Sequence, residues 1–309
     1  GIIVVWGNIV QDKTKINEDG RIRKYNAVLI ANNGAWASNG VLEGYMPKNN
    51  LPKYRIFDDA RHFYPAYKLV NEMSISLEEF FQAFKVTVDG QEYKLALTIC
   101  EDMWEDEYSI HLSSYYKKQG VDILIDISAS PWTLGKWHAR ETMLTKRVRD
   151  VGAPILYVNC VGLQNNTKNL VWFDGASTLI NKEGQFMWQA KVNEQVTETL
   201  GVFSLEKKSV PQKKEEIEEL YECVTSAMYQ FYKGFNKVVI GLSGGIDSAI
   251  SLALLVAVFP KEKILTINMP TRYNSTTTKD LAKKCAENFN VEYKVIPIEK
   301  LYEEQLEAL

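Results

Sequence analysis

The stretch GLSGGIDSAI occupies residues 241–250 and directly follows the apolar run KVVI. An apolar run, a glycine-rich loop and a second long apolar segment predict a buried strand, a turn and a helix. The surrounding sequence continues this alternation, with strands predicted at 237–242, 263–270 and 291–298 and helices at 248–259 and 275–289. The alternation indicates a βαβαβ unit, the beginning of a doubly wound parallel sheet.

The loop between the first strand and the first helix suits a phosphate group. Ligands of open parallel sheets bind outside the carboxyl ends of the strands. Gly244 and Gly245 let the backbone approach an anion, and the hydroxyls of Ser243 and Ser248 add donors beside the helix N-terminus. Asp247 fits beside a phosphate if Mg²⁺ lies between the two. The alternative interpretation is an ordinary Gly-rich turn with a Ser or Asp cap.

The string SGGIDS resembles the signature of the ATP pyrophosphatase superfamily, whose members cleave ATP between the α and β phosphates and adenylate a substrate. It is not a Walker A loop, because GxxxxGK[ST] is absent. The resemblance implies a Rossmann-like domain with Asp247 as the metal ligand and an ATP loop formed by Gly241, Leu242, Ser243, Gly244, Gly245, Ile246, Asp247 and Ser248. In the branch that makes NAD, a string similar to MPTRYNS (269–275) also helps to hold ATP. Arg272 is therefore a candidate phosphate or adenine contact, although a solvated surface Arg is the alternative.

The earlier part of the chain also interleaves strands and helices. The apolar runs at 121–130 and 153–162 are too continuous for strands with one solvated face, so they predict a sheet covered on both sides. Helices are predicted at 77–84, 108–120 and 136–152, and a hairpin at 176–190.

A linker is predicted at 207–214, where the sequence changes to KKSVPQKK. The 309 residues are enough for two domains, which we assign to 1–206 and 215–309. The chain begins with Gly1 and stops at Leu309 within a predicted helix, so we expect the first domain to lack N-terminal sequence and the second to lack C-terminal sequence.

Composition argues for small-molecule chemistry. A net charge of −3 with mixed acids and bases gives no basic face for nucleic acid. No apolar run is long enough to span a bilayer. The four cysteines, at 100, 160, 223 and 285, form no CxxC pair, which indicates free thiols in a reducing compartment such as the cytoplasm.

Cys100 lies where the apolar strand of KLALTICEDMW (94–104) ends. A thiol becomes a nucleophile when a nearby cation and a general base favour its thiolate. Lys48, in YMPKNNLPKYRIF, is a candidate for that cation. The alternative interpretation is that Cys100 is a small packed hydrophobe, the commoner role of a lone cysteine.

Five segments resemble, in order, those of nitrilase-like glutaminase domains: GYMPKNNLPKYRIFDDARHF, LTICEDMW, ISASPWTLGK, YVNCVGLQN and VWFDGAS. These domains are α-β-β-α sandwiches with a Glu, Lys and Cys triad, and fused ahead of an SGGIDS domain they give the arrangement of glutamine-dependent NAD synthetases. The resemblance implies that Cys100 is the nucleophile and Lys48 the oxyanion partner. It also implies a glutamine pocket formed by Tyr54, Phe57, Glu101, Ser130 and Lys136.

Two positions depart from that pattern. Lys136 stands where an Arg is common, and Lys lacks the bidentate grip of Arg on a carboxylate, so glutamine affinity is expected to be weaker or altered. The family's base Glu precedes the Lys by a strand and a helix that this sequence does not contain. Glu43 is near in sequence, but the family pattern does not place the base there, and no residue is assigned to that role.

The resemblance implies glutamine hydrolysis that supplies ammonia for the ATP- and Mg²⁺-dependent amidation of deamido-NAD to NAD, by a homo-oligomer. One alternative is another amidotransferase-linked ATP pyrophosphatase. A GMP synthetase would need a His partner for its Cys, and none of His62, His111 and His138 has a suitable neighbourhood. The other alternative is a non-catalytic, nucleotide-binding fragment.

Overall fold

The computed structural model describes residues 1–17, 19–165, 169–190 and 215–308. The chain separates into two compact units, Gly1–Glu216 and Ile217–Leu309. The predicted linker at 207–214, and the residues of the first predicted domain from 191 onward, lie outside the described residues.

The first unit contains two larger β-sheets. In the first sheet β2 is the antiparallel partner of three strands, and the four are β1 (Ile3–Ile16), β2 (Ile22–Asn32), β3 (Ala35–Trp36) and β4 (Tyr45–Pro47). Eight strands follow: β5 (Phe84–Val88), β6 (Gln91–Ile99), β7 (Ile123–Ser128), β8 (Ile155–Asn159), β9 (Val161–Asn165), β10 (Leu170–Asp174), β11 (Thr178–Ile180) and β12 (Phe186–Gln189). The second sheet has the order β12-β11-β8-β7-β6-β5, in which β6, β7 and β8 are parallel, while β9 and β10 form a separate antiparallel pair.

Helices complete the layers of the first unit: α1 (Asp59–His62), α2 (Ala66–Met73), α3 (Leu77–Phe80), α4 (Leu112–Gln119) and α5 (Lys136–Val151). The two sheets face each other through β2 and β6, while α4 and α5 pack together and α5 contacts β11. Apolar side chains of both sheets and of α2, α3, α4 and α5 join one core cluster. The described elements therefore form two facing sheets, with α5 packed against the second sheet.

Two predicted elements of this unit end earlier than expected. The helix predicted at 77–84 stops at Phe80, because the side-chain amide of Asn39 donates to the carbonyls of Phe80 (3.0 Å) and Gln82 (3.3 Å) and the chain then enters β5. The strand predicted at 153–162 divides at Cys160, where the chain leaves the six-stranded sheet and β9 pairs with β10 instead.

The second unit is the predicted βαβαβ unit preceded by a helix. Its elements are α6 (Glu216–Tyr232), β13 (Val238–Gly241), α7 (Ile246–Val258), β14 (Ile264–Asn268), α8 (Thr276–Phe289), β15 (Glu292–Val295) and α9 (Glu299–Glu307). The three strands are parallel in the order β13-β14-β15. The core cluster consists of Leu242, Leu252, Leu255, Phe259, Ile264, Ala282 and Ala286. No helix among the described residues is long and apolar enough to cross a membrane.

Candidate active site

Cys100 is placed by the end of a parallel strand. It follows Ile99, the last residue of β6, and begins a 3₁₀ turn, Cys100–Met103. Its φ is 49°, in the left-handed region that residues other than glycine rarely adopt. Such backbone strain persists only where the surroundings impose it, and it clusters at functional sites.

A cavity of about 660 Å³ opens beside Cys100. Of the seven residues predicted for the glutaminase site, Lys48, Phe57 and Cys100 line this cavity, and Asp59 and Ser128 line it as well. The structure therefore brings the candidate nucleophile and the candidate cation to one site, although they lie 52 positions apart in the sequence (100 − 48).

Lys48 is buried, with only 4% of its surface exposed, and its Nζ lies 2.7 Å from Oδ2 of Asp59. Burial alone lowers the pKa of a lysine, but here the negative charges that Cys100, Asp59 and Asp102 carry when ionised outweigh burial, and the pKa of Lys48 is raised. Lys48 is therefore a fixed positive charge at the wall of the cavity. Sequence reasoning missed Asp59, although the acidic pair Asp58–Asp59 stands only 11 positions after Lys48 (59 − 48).

Burial raises the pKa of the Cys100 thiol to about 11, and the opposing effect of Lys48 does not compensate for it. At neutral pH the resting thiol is protonated, so a base has to accept its proton before it attacks a carbonyl. Among the described residues that line the cavity there is no glutamate. Glu43 is exposed, and its backbone forms an isolated bridge with Ser38.

Three of the predicted glutamine contacts form one aromatic and acidic cluster. Glu101 is buried and accepts hydrogen bonds from the hydroxyls of Tyr54 and Tyr108, each at 2.9 Å. The rings of Tyr54 and Phe57 meet edge to face, with centroids 5.4 Å apart. Burial, with the Glu101 carboxyl next, raises the pKa of both tyrosines. Tyr108 was not expected from the sequence.

Ser130 and Lys136 are held by separate contacts. The backbone amide of Ser130 donates to Oδ1 of Asn159 at 2.9 Å, and Asn159 is within 3.4 Å of Asp174. Arg140 is fully buried and holds Asp174 in a bidentate pair at 2.9 and 3.0 Å. Lys136 places its Nζ 4.4 Å from the ring centre of Trp104. Burial and the neighbouring guanidinium lower the pKa of Lys136.

Asp102 and Asp126 are buried acids that the sequence reasoning did not select. Asp102 accepts hydrogen bonds from the backbone amides of Asn49 (3.1 Å), Asn50 (2.7 Å) and Ile99 (3.2 Å), so it joins the segment after Lys48 to the end of β6. Burial raises the pKa of Asp102 to about 7 and that of Asp126 to about 6. Asp126 could have been selected from the sequence, because it lies within ILIDIS, a strand predicted to be covered on both faces, where a charged group is costly.

In the second unit the predicted ATP loop, residues 241–248, runs from the end of β13 into the first turn of α7, because α7 begins at Ile246 and not at the predicted position 248. Gly244 has φ +87°, and a Cβ there would lie 2.0 Å from the carbonyl oxygen of Thr278 in α8. Only glycine fits at this position. Asn268 donates from its side-chain amide to the carbonyl of Leu242 at 2.7 Å, which ties the loop to the end of β14.

The hydroxyls of the loop are prearranged. Ser243 Oγ lies 3.1 Å from Ser248 Oγ, and it accepts a hydrogen bond from the amide of Gly245 at 3.3 Å. Gly245 is the N-cap of α7 and has no side chain to cap the helix, so the first amides of α7 lack a side-chain acceptor there. Asp247 lies exposed in the first turn of α7.

Arg272 lies after β14 and is paired with acids of α9. Its guanidinium contacts Glu299, and its Nη2 lies 2.6 Å from Oε1 of Glu303. Arg272 can therefore contact a phosphate only if the phosphate displaces these two carboxylates from the guanidinium.

Within the described ranges, no group of three or more His, Cys, Asp and Glu side chains is placed to hold a metal ion. Mg²⁺ keeps several waters and usually takes one or two protein carboxylates together with substrate phosphates. The exposed carboxylate of Asp247 in the first turn of α7 fits that mode of binding, and it does not fit a metal held by protein ligands alone.

The chain is similar to known proteins over its whole length. Residues 1–207 match the carbon-nitrogen hydrolase family, and residues 216–309 match NAD synthase. The chain is 30% identical over 284 residues to the glutamine-dependent NAD(+) synthetase of Synechocystis sp., covering 86% of this chain and 47% of the relative. The Acinetobacter baylyi glutamine-dependent NAD(+) synthetase is 28% identical over 316 residues, which cover 100% of this chain and 51% of the relative.

A solved structure gives the same result. The glutamine-dependent NAD+ synthetase of Acinetobacter baumannii, in complex with adenosine diphosphate, superposes with a TM-score of 0.76 at 27% identity, over 100% of this chain and 53% of that chain. The chain thus spans about half the length of the relatives it matches.

These matches show that the chain belongs to the carbon-nitrogen hydrolase family. The two relatives described above are glutamine-dependent NAD(+) synthetases, and the NAD synthase match follows the hydrolase match in the same chain. The predicted family and the predicted α/β fold class, an α-β-β-α sandwich followed by a parallel-sheet domain, are confirmed.

Proposed function

We propose that this chain takes part in the glutamine-dependent, ATP-driven amidation of deamido-NAD to NAD. The observation that carries the proposal is the meeting of Cys100 and Lys48 in one cavity, within a chain whose second unit matches NAD synthase. The assigned substrates are glutamine, ATP and deamido-NAD. The resemblance to the family further supports a homo-oligomer. The free thiols of Cys100, Cys160 and Cys285 support a location in the cytoplasm.

In the first unit Cys100 is the proposed nucleophile. Its thiol loses its proton and the sulfur attacks the side-chain carbonyl of glutamine, and the negative charge that develops on the carbonyl oxygen is stabilised by Lys48. A base passes the proton from the thiol to the nitrogen as this intermediate collapses and the C–N bond breaks, so ammonia leaves and a glutamyl thioester remains. Water then hydrolyses the thioester to glutamate and restores the thiol. Tyr54, Phe57, Glu101, Ser130 and Lys136 are the proposed glutamine contacts.

In the second unit residues 241–248 are the proposed ATP loop. Its glycines allow the backbone to approach the phosphates, and the N-terminus of α7 directs amides at them. The nicotinate carboxylate of deamido-NAD attacks the α-phosphate of ATP and pyrophosphate leaves; ammonia then displaces AMP and forms the amide. Asp247 would hold Mg²⁺, which would neutralise charge on the phosphates. Arg272 is also a proposed ATP contact, and it would leave Glu299 and Glu303 when it binds a phosphate.

The test of the glutaminase assignment compares two thiols of one cavity. Cys100→Ala is expected to abolish glutamate release from glutamine, because the nucleophile is removed, whereas Cys160→Ala is expected to retain it. Glutamate release is measured on the purified chain and on a protein of the relatives' full length. If Cys100→Ala retained glutamate release, or if Cys160→Ala lost it, the assignment of the nucleophile would be wrong.

The synthetase assignment is tested by pyrophosphate release in the presence of ATP and Mg²⁺, with and without deamido-NAD. Release that requires both substrates supports the proposal, and in the full-length protein Asp247→Ala should abolish it. Nucleotide binding without turnover in the full-length protein would instead favour a non-catalytic nucleotide-binding role.

A further inference from the structure

A buried carboxylate lies next to Cys100 on the neighbouring strand. Thr98 of β6 is in register with Asp126 of β7, and Ile99 is in register with Ile127, so the parallel pairing continues toward Cys100 and Ser128. Side chains two residues apart on a strand share a face. Asp126 and Ser128 therefore point to the same side of β7, beside the end of β6 where Cys100 begins its turn.

Both oxygens of the Asp126 carboxylate are engaged. Thr98 donates from Oγ1 to Oδ1 at 2.9 Å, and Ser128 donates from Oγ to Oδ2 at 2.7 Å. Asp126 has no exposed surface, and Thr98 and Ser128 are also buried. These two hydroxyls hold the carboxylate in place, and within the described part of the chain no cation contacts it directly.

Ser128, which donates to this carboxylate, also lies at the site of the reacting sulfur. It lines the same cavity as Cys100. Its hydroxyl has a single proton, which can be donated either to Asp126 or to the sulfur. A hydroxyl that donates to a thiolate stabilises it, whereas a nearby negative charge disfavours it. The two neighbours act in these opposite senses on the Cys100 thiol, Asp126 through its charge and Ser128 through its hydroxyl.

We propose that Asp126 and Ser128 are positioning residues that control the ionisation of Cys100. While Asp126 is ionised it competes with the sulfur for the Ser128 proton and repels a thiolate, so the resting thiol stays protonated. Removal of the Asp126 charge frees the Ser128 hydroxyl for the sulfur. The inference rests on the proposed role of Cys100 as the nucleophile, and it names a control on that residue which neither the sequence motifs nor the comparisons assign.

Other charged or titratable groups face Asp126 and Cys100 from the surrounding elements. They are Lys48 after β4, Glu101 and Asp102 in the 3₁₀ turn, Lys136 and Arg140 of α5, and Tyr157 of β8. All of them remain in place when Asp126 or Ser128 is replaced, so a change in the ionisation of Cys100 reports the replaced side chain.

The experiment measures the rate at which iodoacetamide alkylates Cys100 between pH 6 and 11, resolved from the other cysteines by peptide mass spectrometry. Asp126→Asn is expected to lower the apparent pKa of Cys100 by about one pH unit or more, because it removes a buried negative charge. Ser128→Ala is expected to raise the apparent pKa, because the thiolate loses its hydroxyl donor. Far-UV circular dichroism checks that each variant is folded.

Thr98→Val is the matched control, since Thr98 contacts the same carboxylate from the strand that carries Cys100. Asp126 stays ionised at the alkaline pH where the thiol titrates, so this variant should shift the apparent pKa less than either of the others. Equal acceleration in Asp126→Asn and Ser128→Ala would indicate general loosening of the site and would overturn the proposal. If Asp126→Asn does not fold, an unchanged or lowered pKa in Ser128→Ala overturns it.

Alkylation needs no turnover, so the two proposals fail separately. If the wild-type protein releases glutamate but Asp126→Asn and Ser128→Ala do not shift the Cys100 pKa in opposite directions, only the proposed control by Asp126 and Ser128 is rejected. The opposite shifts in a full-length protein that releases no glutamate reject the glutaminase assignment and leave the control of the thiol in place.

Discussion

Lys48 illustrates how a buried charge depends on one partner. Its ammonium is enclosed by protein, and Asp59 is the carboxylate in direct contact with it in the described structure. A buried ion pair contributes little net stability, but removing one partner leaves an uncompensated charge, which is costly. The adjacent Asp58 contacts Arg61 at 3.5 Å, and both side chains are exposed. The two neighbouring aspartates thus allow a matched comparison.

Asp59→Asn is expected to lower the free energy of unfolding of the first unit by about 1–3 kcal/mol, because Asn cannot compensate the charge of Lys48. It should also lower the rate of glutamate release, because without Asp59 the pKa of Lys48 falls and a smaller fraction of Lys48 is protonated. Asp58→Asn is expected to change stability by less than about 0.5 kcal/mol. Urea titration followed by tryptophan fluorescence measures both variants, and equal effects would contradict the role given to Asp59.

Asp102 predicts a specific dependence of stability on pH. Its pKa is raised by burial from 3.8 to about 7, so between about pH 4 and pH 7 the folded state binds more protons than the unfolded state. Stability contributed by the protonated carboxyl is therefore lost as pH rises through this window, and Asp126 adds the same trend up to about pH 6. Asp102→Asn should make the free energy of unfolding fall less steeply between pH 5 and pH 8. Parallel pH curves for wild type and variant would show that Asp102 does not titrate as described.

At the scale of elements, the packing of α8 against the loop before α7 decides which loop glycine can accept a side chain. Gly244 touches the backbone of α8 and has a positive φ, whereas a Cβ at Gly245 would meet only Ser243 Oγ, at 3.4 Å. Gly245 has φ −84°, which any residue adopts. The fold therefore requires glycine at Gly244, whereas Gly245 has free space for a side chain or a ligand.

Gly244→Ala is expected to destabilise the second unit by more than about 2 kcal/mol, because its Cβ would displace the backbone of α8. Gly245→Ala is expected to leave the stability of the second unit nearly unchanged but to weaken ATP binding, because the added methyl keeps phosphate away from the loop amides. Circular dichroism measures stability, and calorimetric titration with ATP and Mg²⁺ measures binding. Unaltered ATP affinity in Gly245→Ala would argue against this loop as the phosphate site.

At the scale of the whole molecule, the two units differ in how much apolar surface they bury. The core of the first unit joins side chains from two sheets and four helices, while the core cluster of the second unit has seven members, two of them alanines. Large apolar side chains of the second unit are exposed, among them Ile217, Val239, Ile246, Tyr273 and Leu301. Stability rises with the apolar area removed from water.

The second unit is therefore expected to unfold at a lower temperature than the first. All seven tryptophans, at positions 6, 36, 104, 132, 137, 172 and 188, belong to the first unit, so their fluorescence reports that unit alone. Far-UV circular dichroism should show an early transition without a change in tryptophan fluorescence and a later transition with one. A single transition seen equally by both probes would mean that the units unfold together.

Much of the architecture is predictable because it depends on local periodicity. Alternation of apolar runs with helical segments located the βαβαβ unit, and the end of the KLALTIC run correctly placed Cys100 at a strand end. The motifs around Lys48 and SGGIDS indicated the family that the comparisons confirm. The helix predicted at 77–84 was too long because the side-chain amide of Asn39, distant in sequence, donates hydrogen bonds to the carbonyls of Phe80 and Gln82.

The sequence by itself determined the class of the two units, the strand end that carries Cys100 and the glycine loop before α7, since each depends on residues close together in the chain. Only the tertiary structure decided that Asp59 holds Lys48, that Asp102 joins segments 53 positions apart, and that Asp126 lies beside Cys100. The physical reason is that a buried charge interacts through space with whatever the sheet order brings near it, and the spacing of residues along the chain carries no record of that neighbourhood.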